Sequence, residues 1–528
     1  MNPSRRMLLK AGLGVAQVSL LAKFGFWGAK ARAASGDGPD RLLTLFVPGG
    51  WMPAYVFCPL SQPQIARVIP PVRIFANEKV FFSPSDVTNL DGTGDQLNSG
   101  YQRLRIPRLW DEAALSSGQP DRRIGGTTPS CWAWSHYRLW ENACLVHGVD
   151  ARTAAHSAGV HSAYCGIPGE EFRSPSLQAY VANHRFSDLS GRPLPNVTVG
   201  DSLPTEALGL RPEVSPVMMN GITSAAYNLS ERIDQAWAGL RNRRSKPQVD
   251  FSGSPIGPFG TNAIDDYTAK KLRALRGSTN QKTDAFYQKL YDSYQNVSKQ
   301  LANDVVTQIE RFRGVQFTPR PYWIPTGTSH FATEIGRGGS IDPGGTWDET
   351  FDLTLRLLKA DVATSVSVNC LGVRHQAFDT HAEGNLFQFV HVRAVCDVIG
   401  RLLGEMKATI LPSGRTLLDK TLVIVFSEFA RTWPRSNVSD HWPATSVVFA
   451  GGGINPNRMI GTYDVDADVP DAAGFNGGRV EIRDTGQVVR RQPNSADVIH
   501  TALKVMGLED PDIFIPGGSG EILGVRAS

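Results

Sequence analysis

The sequence predicts an α/β fold, a mainly parallel sheet sandwiched by helices, with an α-helical insertion. Short β-branched apolar runs of the kind buried in parallel sheets, such as the run at 421–426, end abruptly in polar residues. From Trp347 onward these runs alternate with helical patterns, which favours parallel strands with helices on both faces. A charged, helical region precedes this alternation and predicts the insertion.

The first half of the chain begins with a strand at 41–47, which stops at the turn Pro48-Gly49-Gly50. Such a turn suits close approach of the backbone to a ligand, or a tight corner. Residues 53–126 are expected to form an irregular surface excursion, because Pro, Asn, Asp and Gly are scattered between short apolar pieces. The next predicted elements are a strand at 140–149, a loop at 154–162, a helix at 176–184 and a strand at 194–199.

Residues 225–314 differ in character, since three amphipathic segments there are nearly free of Gly and Pro. In the last of them, 284–313, apolar residues recur at three- and four-residue spacing and form one helical stripe. Packing of this stripe against the sheet or a neighbouring helix is the simple interpretation, and a partner-binding helix is the alternative. A Pro/Gly/Thr-rich link follows at 319–345.

The second half resumes the α/β alternation and ends in a helix that Gly507 terminates. Its predicted helices are 349–360, 387–411 and 495–506, and its predicted strands are 363–371, 421–426 and 446–450. The predicted organisation is a signal peptide at 1–33, core at 34–224, insertion and link at 225–345, and core again at 346–528.

The N-terminus predicts export. Ser4-Arg5-Arg6-Met7-Leu8-Leu9-Lys10 fits the twin-arginine pattern, a modestly apolar stretch follows, and Ala31-Arg32-Ala33 suits cleavage. We therefore expect a periplasmic or secreted protein with no stable membrane span after cleavage. An uncleaved anchor is the alternative, although the apolar stretch is shorter than the ~18–20 residues of a comfortable span.

Removal of this leader would change the net charge of the protein. The chain has 54 basic and 50 acidic residues, and the first 33 residues hold six of the basic ones and no acid. The mature chain is therefore left with a net charge of −2, which gives no support to nucleic-acid binding. The six cysteines include no CxxC pair, so a cysteine zinc cluster is not expected. Cys131 could pair with Cys144 or Cys165 in an oxidising compartment, or all could remain buried thiols.

Acids and histidines follow the predicted strands, where open α/β sheets place their ligands. Carboxylate oxygens and imidazole nitrogens delivered from several loops are the usual ligands of hard or borderline divalent metals. The sequence thus predicts a site for zinc, manganese or calcium, and a structural polar network is the alternative. The candidate ligands are Asp379, His381, Glu428, Asp440 and His441.

Several motifs together resemble a known family of exported bacterial proteins, catalogued as domain of unknown function number fifteen hundred and one. These motifs are the run 421–431, the Asp440-His441 pair, the glycines 451–453, and Asp379-Thr380-His381. That family is similar in turn to the alkaline phosphatase superfamily, which includes sulfatases. This more distant resemblance implies an α/β/α sandwich with two metal ions.

By that analogy Asp379 and His381 would bind one metal, and Glu428 and His441 would stand at further ligand positions. Ser157 or Ser162 would be the nucleophile. Two departures concern the ligands: Pro48-Gly49-Gly50 replaces a metal-binding Asp, and Phe429 stands where a metal-binding His often follows. His156 and His161 are the candidates to replace the missing ligands.

Two functions follow as hypotheses. The first is an exported metal-dependent hydrolase of phosphate or sulfate esters, in which Arg431 stabilises charge while Ser157 or activated water attacks. The second is a catalytically inactive scaffold that binds an envelope polysaccharide or protein partner. Loop tryptophans would suit sugar stacking in that case: Trp51, Trp132, Trp134, Trp323, Trp433 and Trp442. The partner would be an anionic ester in the first case and a polysaccharide or protein in the second; the pattern does not specify an oligomeric state.

Overall fold

The structure is a computed structural model of the full chain. It describes residues 38–51, 57, 72–75, 78–89, 104–111, 132–168, 174–186, 191–200, 203–204, 210, 214–219, 304–317, 344–370, 379, 384–432, 440–463, 477–508 and 519–527. The expected signal peptide, His381 and most of the expected insertion lie outside these residues, and so do Trp323 and Trp433.

The described strands are numbered in chain order. They are β1 (Arg41–Phe46), β2 (Val72–Phe75), β3 (Glu78–Asn89), β4 (Arg105–Asp111), β5 (Ala143–Asp150), β6 (Leu194–Val199), β7 (Val217–Met219), β8 (Ala363–Asn369), β9 (Thr421–Phe426), β10 (Ala430–Arg431), β11 (His441–Trp442), β12 (Ala444–Gly451), β13 (Arg458–Ile460), β14 (Val480–Asp484), β15 (Gln487–Arg491) and β16 (Glu521–Ile522).

The described α-helices are numbered in the same way. They are α1 (Trp132–His136), α2 (His156–Cys165), α3 (Leu177–Arg185), α4 (Gly344–Lys359), α5 (Gly384–Ala408) and α6 (Ser495–Val505). A short 3-10 helix covers Leu139–Asn142. Residues 304–310 are also helical, which confirms the end of the predicted segment 284–313.

An eight-stranded sheet forms the centre of the fold, in the order β13-β5-β12-β9-β1-β8-β6-β7. β1 lies between β9 and β8 and is parallel to both. β12 is the exception, because it runs antiparallel to β9 and to β5. The predicted mainly parallel α/β fold is confirmed by this topology.

Both faces of the sheet are covered, since every residue of β1 and β9 is buried. Leu42 and Phe46 belong to a core that includes residues of α2, α3 and α6. Helix α4 packs against β6 and β8. The runs that form the central strands are rich in Leu, Val and Ile, and burial on two faces explains why they lack polar alternation.

The expectation that residues 53–126 are irregular is wrong. Strands β2, β3 and β4 come from this stretch and form a separate antiparallel sheet. Pro84 lies within β3 and Pro107 within β4, and the β3–β4 register shifts between Phe82 and Val87. Proline cannot donate to a strand ladder and usually argues against a strand, so the local pattern concealed both strands.

The expectation of a loop at 154–162 is also wrong, because α2 begins at His156. Its sequence, rich in Ala, Ser and Gly, has little helical contrast between polar and apolar faces, so periodicity does not reveal it. The predicted strand at 140–149 begins three residues late, at Ala143, because the preceding residues form the 3-10 helix.

The chain divides into two compact units, one formed by residues 1–221 with 312–528 and the other by residues 222–311. The predicted domain boundaries remain a prediction. Among the helices that the structure describes, none combines the length and apolarity that crossing a membrane requires. Four cysteines are buried and form no disulfide: Cys144, Cys165, Cys370 and Cys396.

Candidate functional site

The sheet topology brings four chain segments to one edge. β1 and β9 are parallel and in register to Phe46 and Phe426, so the Gly-Gly turn and Ser427 both follow at the same edge. β5 ends there as well, because its Asp150 pairs with Ala444 at the start of the antiparallel β12. Helix α2 follows β5, and the short strand β11 precedes β12.

Three potential metal ligands converge at this edge: His156, Asp379 and His441. One ligand atom from each lies within 4.8 Å of the other two. The two oxygens of Asp379 are divided between the rings, since Oδ2 lies 3.1 Å from Nε2 of His156 and Oδ1 lies 3.2 Å from Nε2 of His441. The arrangement is therefore one carboxylate between two imidazole Nε2 atoms.

The tautomer of His156 follows from its other ring nitrogen. Nδ1 lies 2.9 Å from Oε1 of Glu428, a carboxylate oxygen, so Nδ1 carries the proton and donates it. Nε2 is buried and faces Oδ2 of Asp379 at 3.1 Å. A neutral His156 ring thus presents a free lone pair to the site.

His441 is oriented in the same way by the backbone. Its Nδ1 lies 2.8 Å from the carbonyl oxygen of Ala154, which can only accept, so Nδ1 is the donor. Nε2 lies within hydrogen-bond distance of Oδ1 of Asp379, which only a ring protonated on both nitrogens could donate to; in the neutral ring, Nε2 instead carries a lone pair that faces this oxygen. Two lone pairs and a carboxylate facing one another require a positive group between them, either added protons or a metal ion.

Arg431 holds the carboxylate of Asp379 from the buried side. Its Nε and Nη2 donate to the carbonyl oxygen of Gly49 at 2.9 and 2.7 Å, and Nη2 also donates to Oδ1 of Asp379. Partial burial alone would raise the pKa of Asp379, but the hydrogen bond and charge of Arg431 outweigh it and lower that pKa to about 2. The carboxylate is therefore ionised at neutral pH.

The same environment also shifts the pKa values of Arg431 and His156. Desolvation lowers the pKa of Arg431, and Asp379 opposes this effect by favouring its charge. The hydrogen bond to Glu428 raises the pKa of His156, against the opposing effect of burial. His156 therefore attracts a cation, whether a proton or a metal ion.

Glu428 lies behind His156 and is only 1% exposed. Its Oε1 also accepts the N–H of Gly49 at 2.7 Å, and its Oε2 accepts the hydroxyl of Ser427 at 2.8 Å. The Ser427 hydroxyl accepts in turn from the N–H of Gly50. Glu428 was predicted as a metal ligand, but the structure brings it to His156 and not into the three-residue cluster.

Phe429 is fully buried beneath the two histidines. Its ring centroid lies 4.9 Å from that of His156 and 4.3 Å from that of His441, and the two imidazoles are themselves 4.5 Å apart. The sequence identified Phe429 only as the residue that stands where a metal-binding His often follows, and it predicted no role for the ring. Helix α2 approaches Phe429 closely at Gly159, where a Cβ would lie 3.0 Å from Cβ of Glu428 and 3.3 Å from the Phe429 ring.

The other predicted site residues lie at different distances from this cluster. Ser157 is exposed in the first turn of α2, next to His156, whereas Ser162 is buried in the core. His161 directs Nδ1 at the carbonyl oxygen of Ile167, outside the cluster. Asp440 is exposed, and its Oδ1 accepts the N–H of His441. His381 lies outside the described residues.

The tryptophans predicted for sugar stacking fall into two groups. Trp51 and Trp134 are core residues with 1% exposure each, and both use their indole N–H inside the protein. Trp442 is half-buried beside His441. Two of the side chains that favoured a polysaccharide scaffold therefore have no free face.

Comparison with known sequences supports the predicted family resemblance. Residues 349–520 match the family described as "Protein of unknown function (DUF1501)". This segment contains Asp379, Glu428, Arg431 and His441, but not His156. No curated protein matches the chain.

The solved structures that are similar to this chain include three from bacteria. One is a magnesium-bound mutant of the alkaline phosphatase from the Antarctic bacterium TAB5, which is 11% identical to this chain. The alignment covers 90% of this chain and 99% of the phosphatase, with a TM-score of 0.31. The lipoteichoic acid synthase LtaP from Listeria monocytogenes is 8% identical, with coverages of 96% and 81% and a TM-score of 0.33. The phosphonate monoester hydrolase SpPMH from Silicibacter pomeroyi is 14% identical, with coverages of 72% and 69% and a TM-score of 0.26. The α/β fold follows from the strand order and direction of the central sheet itself.

Proposed function

We propose that the protein is an exported, metal-dependent hydrolase of phosphate or sulfate esters, with His156, Asp379 and His441 as metal ligands. The observation that carries the proposal is the convergence of Nε2 of His156 and Nε2 of His441 on the carboxylate of Asp379. Two nitrogens and one oxygen form a donor set that suits zinc or manganese, whereas calcium prefers oxygen ligands alone.

The histidines fit a metal because both are held by their Nδ1 atoms. A ligating histidine usually donates its other N–H to a carboxylate or a backbone carbonyl, and here Glu428 and Ala154 accept these bonds. A bound divalent ion would supply Lewis-acid chemistry, which activates water or neutralises charge on a phosphoryl or sulfuryl group.

The remaining residues have roles that follow from their positions. Arg431 keeps Asp379 ionised and orients its carboxylate toward the two rings. Ser157 lies exposed beside His156 in the first turn of α2, where it is available as the nucleophile. Attack by water is the alternative. The twin-arginine motif supports export, which we include in the proposal.

Metal analysis of the purified protein tests the site. We expect about one equivalent of zinc or manganese after loading, together with turnover of aryl phosphates or aryl sulfates, because the three ligands are preoriented. Asp379→Ala removes the only described carboxylate in the cluster and should abolish both. Asp440→Asn serves as the matched control, since Asp440 neighbours His441 but lies outside the cluster.

Two results would count against the proposal. Metal content that is the same in the wild type and Asp379→Ala would show that the ion binds elsewhere. A metal-loaded protein that turns over neither class of ester would show that the site is not a hydrolase of this kind.

A further inference from the structure

We propose that Glu428 is a positioning residue, which fixes the tautomer and direction of the His156 ring and does not itself bind the metal. The inference rests on the proposed metal site, but its spectroscopic test does not require a bound ion. The Pro48-Gly49-Gly50 turn takes part in this arrangement, because the N–H of Gly49 donates to Oε1 of Glu428, the oxygen that His156 also contacts.

The hydrogen bonds of Glu428 leave little room for a direct metal bond. Oε1 accepts from the N–H of Gly49 at 2.7 Å and from Nδ1 of His156 at 2.9 Å, which occupies both of its lone pairs. Oε2 accepts from the hydroxyl of Ser427 at 2.8 Å. A carboxylate that is 1% exposed and held by three protein donors is suited to orient a ligand.

Two neighbours restrict the His156 ring, the carboxylate of Glu428 and the ring of Phe429. With Nδ1 committed to Glu428, the His156 ring can present only Nε2 to Asp379 and His441. The Phe429 ring packs against both imidazoles and restricts their planes. Gly159 allows α2 to approach, since its Cα hydrogen faces the carbonyl oxygen of Glu428 where a Cβ would be only 2.9 Å away.

The two histidines differ in a way that provides an internal control. His156 depends on a side-chain carboxylate for its orientation, whereas His441 depends on the backbone carbonyl of Ala154. Removing the Glu428 carboxylate should therefore release the His156 ring and leave His441 as it is.

The first experiment determines ring tautomers in the metal-free, ¹⁵N-histidine-labelled protein at alkaline pH. Long-range ¹H–¹⁵N spectra identify the protonated nitrogen, and His156→Asn and His441→Asn assign the two signals. We expect both wild-type rings to be protonated at Nδ1. In Glu428→Ala, His156 should shift toward the Nε2-protonated form while His441 is unchanged. An unchanged His156 signal would overturn the proposal.

The second experiment measures Zn²⁺ affinity by calorimetry. Loss of such a partner commonly weakens metal binding by about 10- to 100-fold, and we expect this range for Glu428→Gln and Glu428→Ala. Glu428→Gln keeps one acceptor oxygen while it removes the charge, and it guards against misfolding in the alanine variant. Asp440→Asn is the matched control, because it makes the same carboxylate-to-amide change as Glu428→Gln at a residue outside the three-residue cluster, and zinc affinity should stay within about threefold of the wild-type value.

The outcomes separate this inference from the proposed function. If wild-type protein binds no zinc, the hydrolase proposal fails while the tautomer measurement still decides the role of Glu428. If wild-type protein binds zinc and a folded Glu428→Ala variant binds it equally well, Glu428 does not position the ligand. If Asp440→Asn weakens binding as much as Glu428→Gln, the effect comes from the loss of negative charge near the site and the positioning role is wrong.

Discussion

Close packing around the Pro48-Gly49-Gly50 turn supports the candidate site at the scale of single residues. Gly50 has a φ of +78°, and a Cβ at this position would lie 2.6 Å from Cε2 of Phe429. Arg431, Ser427 and Glu428 all bind the backbone of this turn. The turn therefore holds the ring beneath the two histidines without contributing a ligand.

Gly50→Ala should destabilise the protein by about 2–4 kcal/mol, because left-handed strain and a clash with Phe429 add together. Gly414→Ala is the control, since Gly414 has a similar φ of +79° but no atom within 4 Å of a new Cβ. Its cost should be only about 1–2 kcal/mol. Urea unfolding measures both, and equal losses would contradict the packing argument.

Within the pair of strands β5 and β12, a buried polar cluster adds a titrating group to the core. Nδ1 of His147 lies 2.7 Å from the Ser446 hydroxyl, which is 2.8 Å from the hydroxyl of Tyr463. Burial of His147 lowers its pKa to about 3. The ring therefore remains neutral in the folded protein while the same side chain takes up a proton in the unfolded chain.

This difference predicts a pH dependence of stability. Because the folded pKa lies below the unfolded value of about 6.5, stability should fall as pH drops from about 6.5 toward 3, by up to roughly 1.4 kcal/mol per pH unit. His147→Gln should show a shallower slope over this range. Ser446→Ala should lower stability but keep the wild-type slope, because His147 still titrates. Urea unfolding between about pH 4 and about pH 7 measures both slopes. Equal slopes in the wild type and His147→Gln would exclude His147 as the source of the pH dependence.

Across the whole molecule, the candidate ligands connect distant parts of the chain. His156 comes from helix α2, Asp379 from the segment after β8, and His441 from β11. An ion bound by all three would stabilise only the folded state, since the unfolded chain does not bring them together.

Zinc should therefore raise the melting temperature of the wild-type protein. An ion at 100 times its dissociation constant adds about 2.7 kcal/mol to the free energy of unfolding, which corresponds to a rise of a few degrees. A chelator should reverse the rise, and Asp379→Ala should show neither effect. A zinc-induced rise of equal size in Asp379→Ala would place the stabilising ion elsewhere.

Local sequence patterns predicted much of the central sheet. The strands β1, β6, β8 and β9 lie within a few residues of their predicted positions, because their apolar runs are bounded by clear turns. The antiparallel sheet β2-β3-β4 was not predicted, since Pro84 and Pro107 within its strands resemble loop residues and the β3–β4 register shifts. Helix α2 was missed because small residues give no periodic signal.

For the site, the sequence by itself determined which polar residues follow the buried strands, because a strand that is covered on both faces must place its acids and histidines beyond its end. Asp379, Glu428 and His441 were recognised in this way. Only the tertiary structure decided how they are used: it turns Glu428 away from the cluster, and of the two candidate replacement ligands it brings in His156, 272 residues before Glu428, and not His161. The direction of a side chain and the approach of a distant helix depend on packing between segments, which no local pattern records.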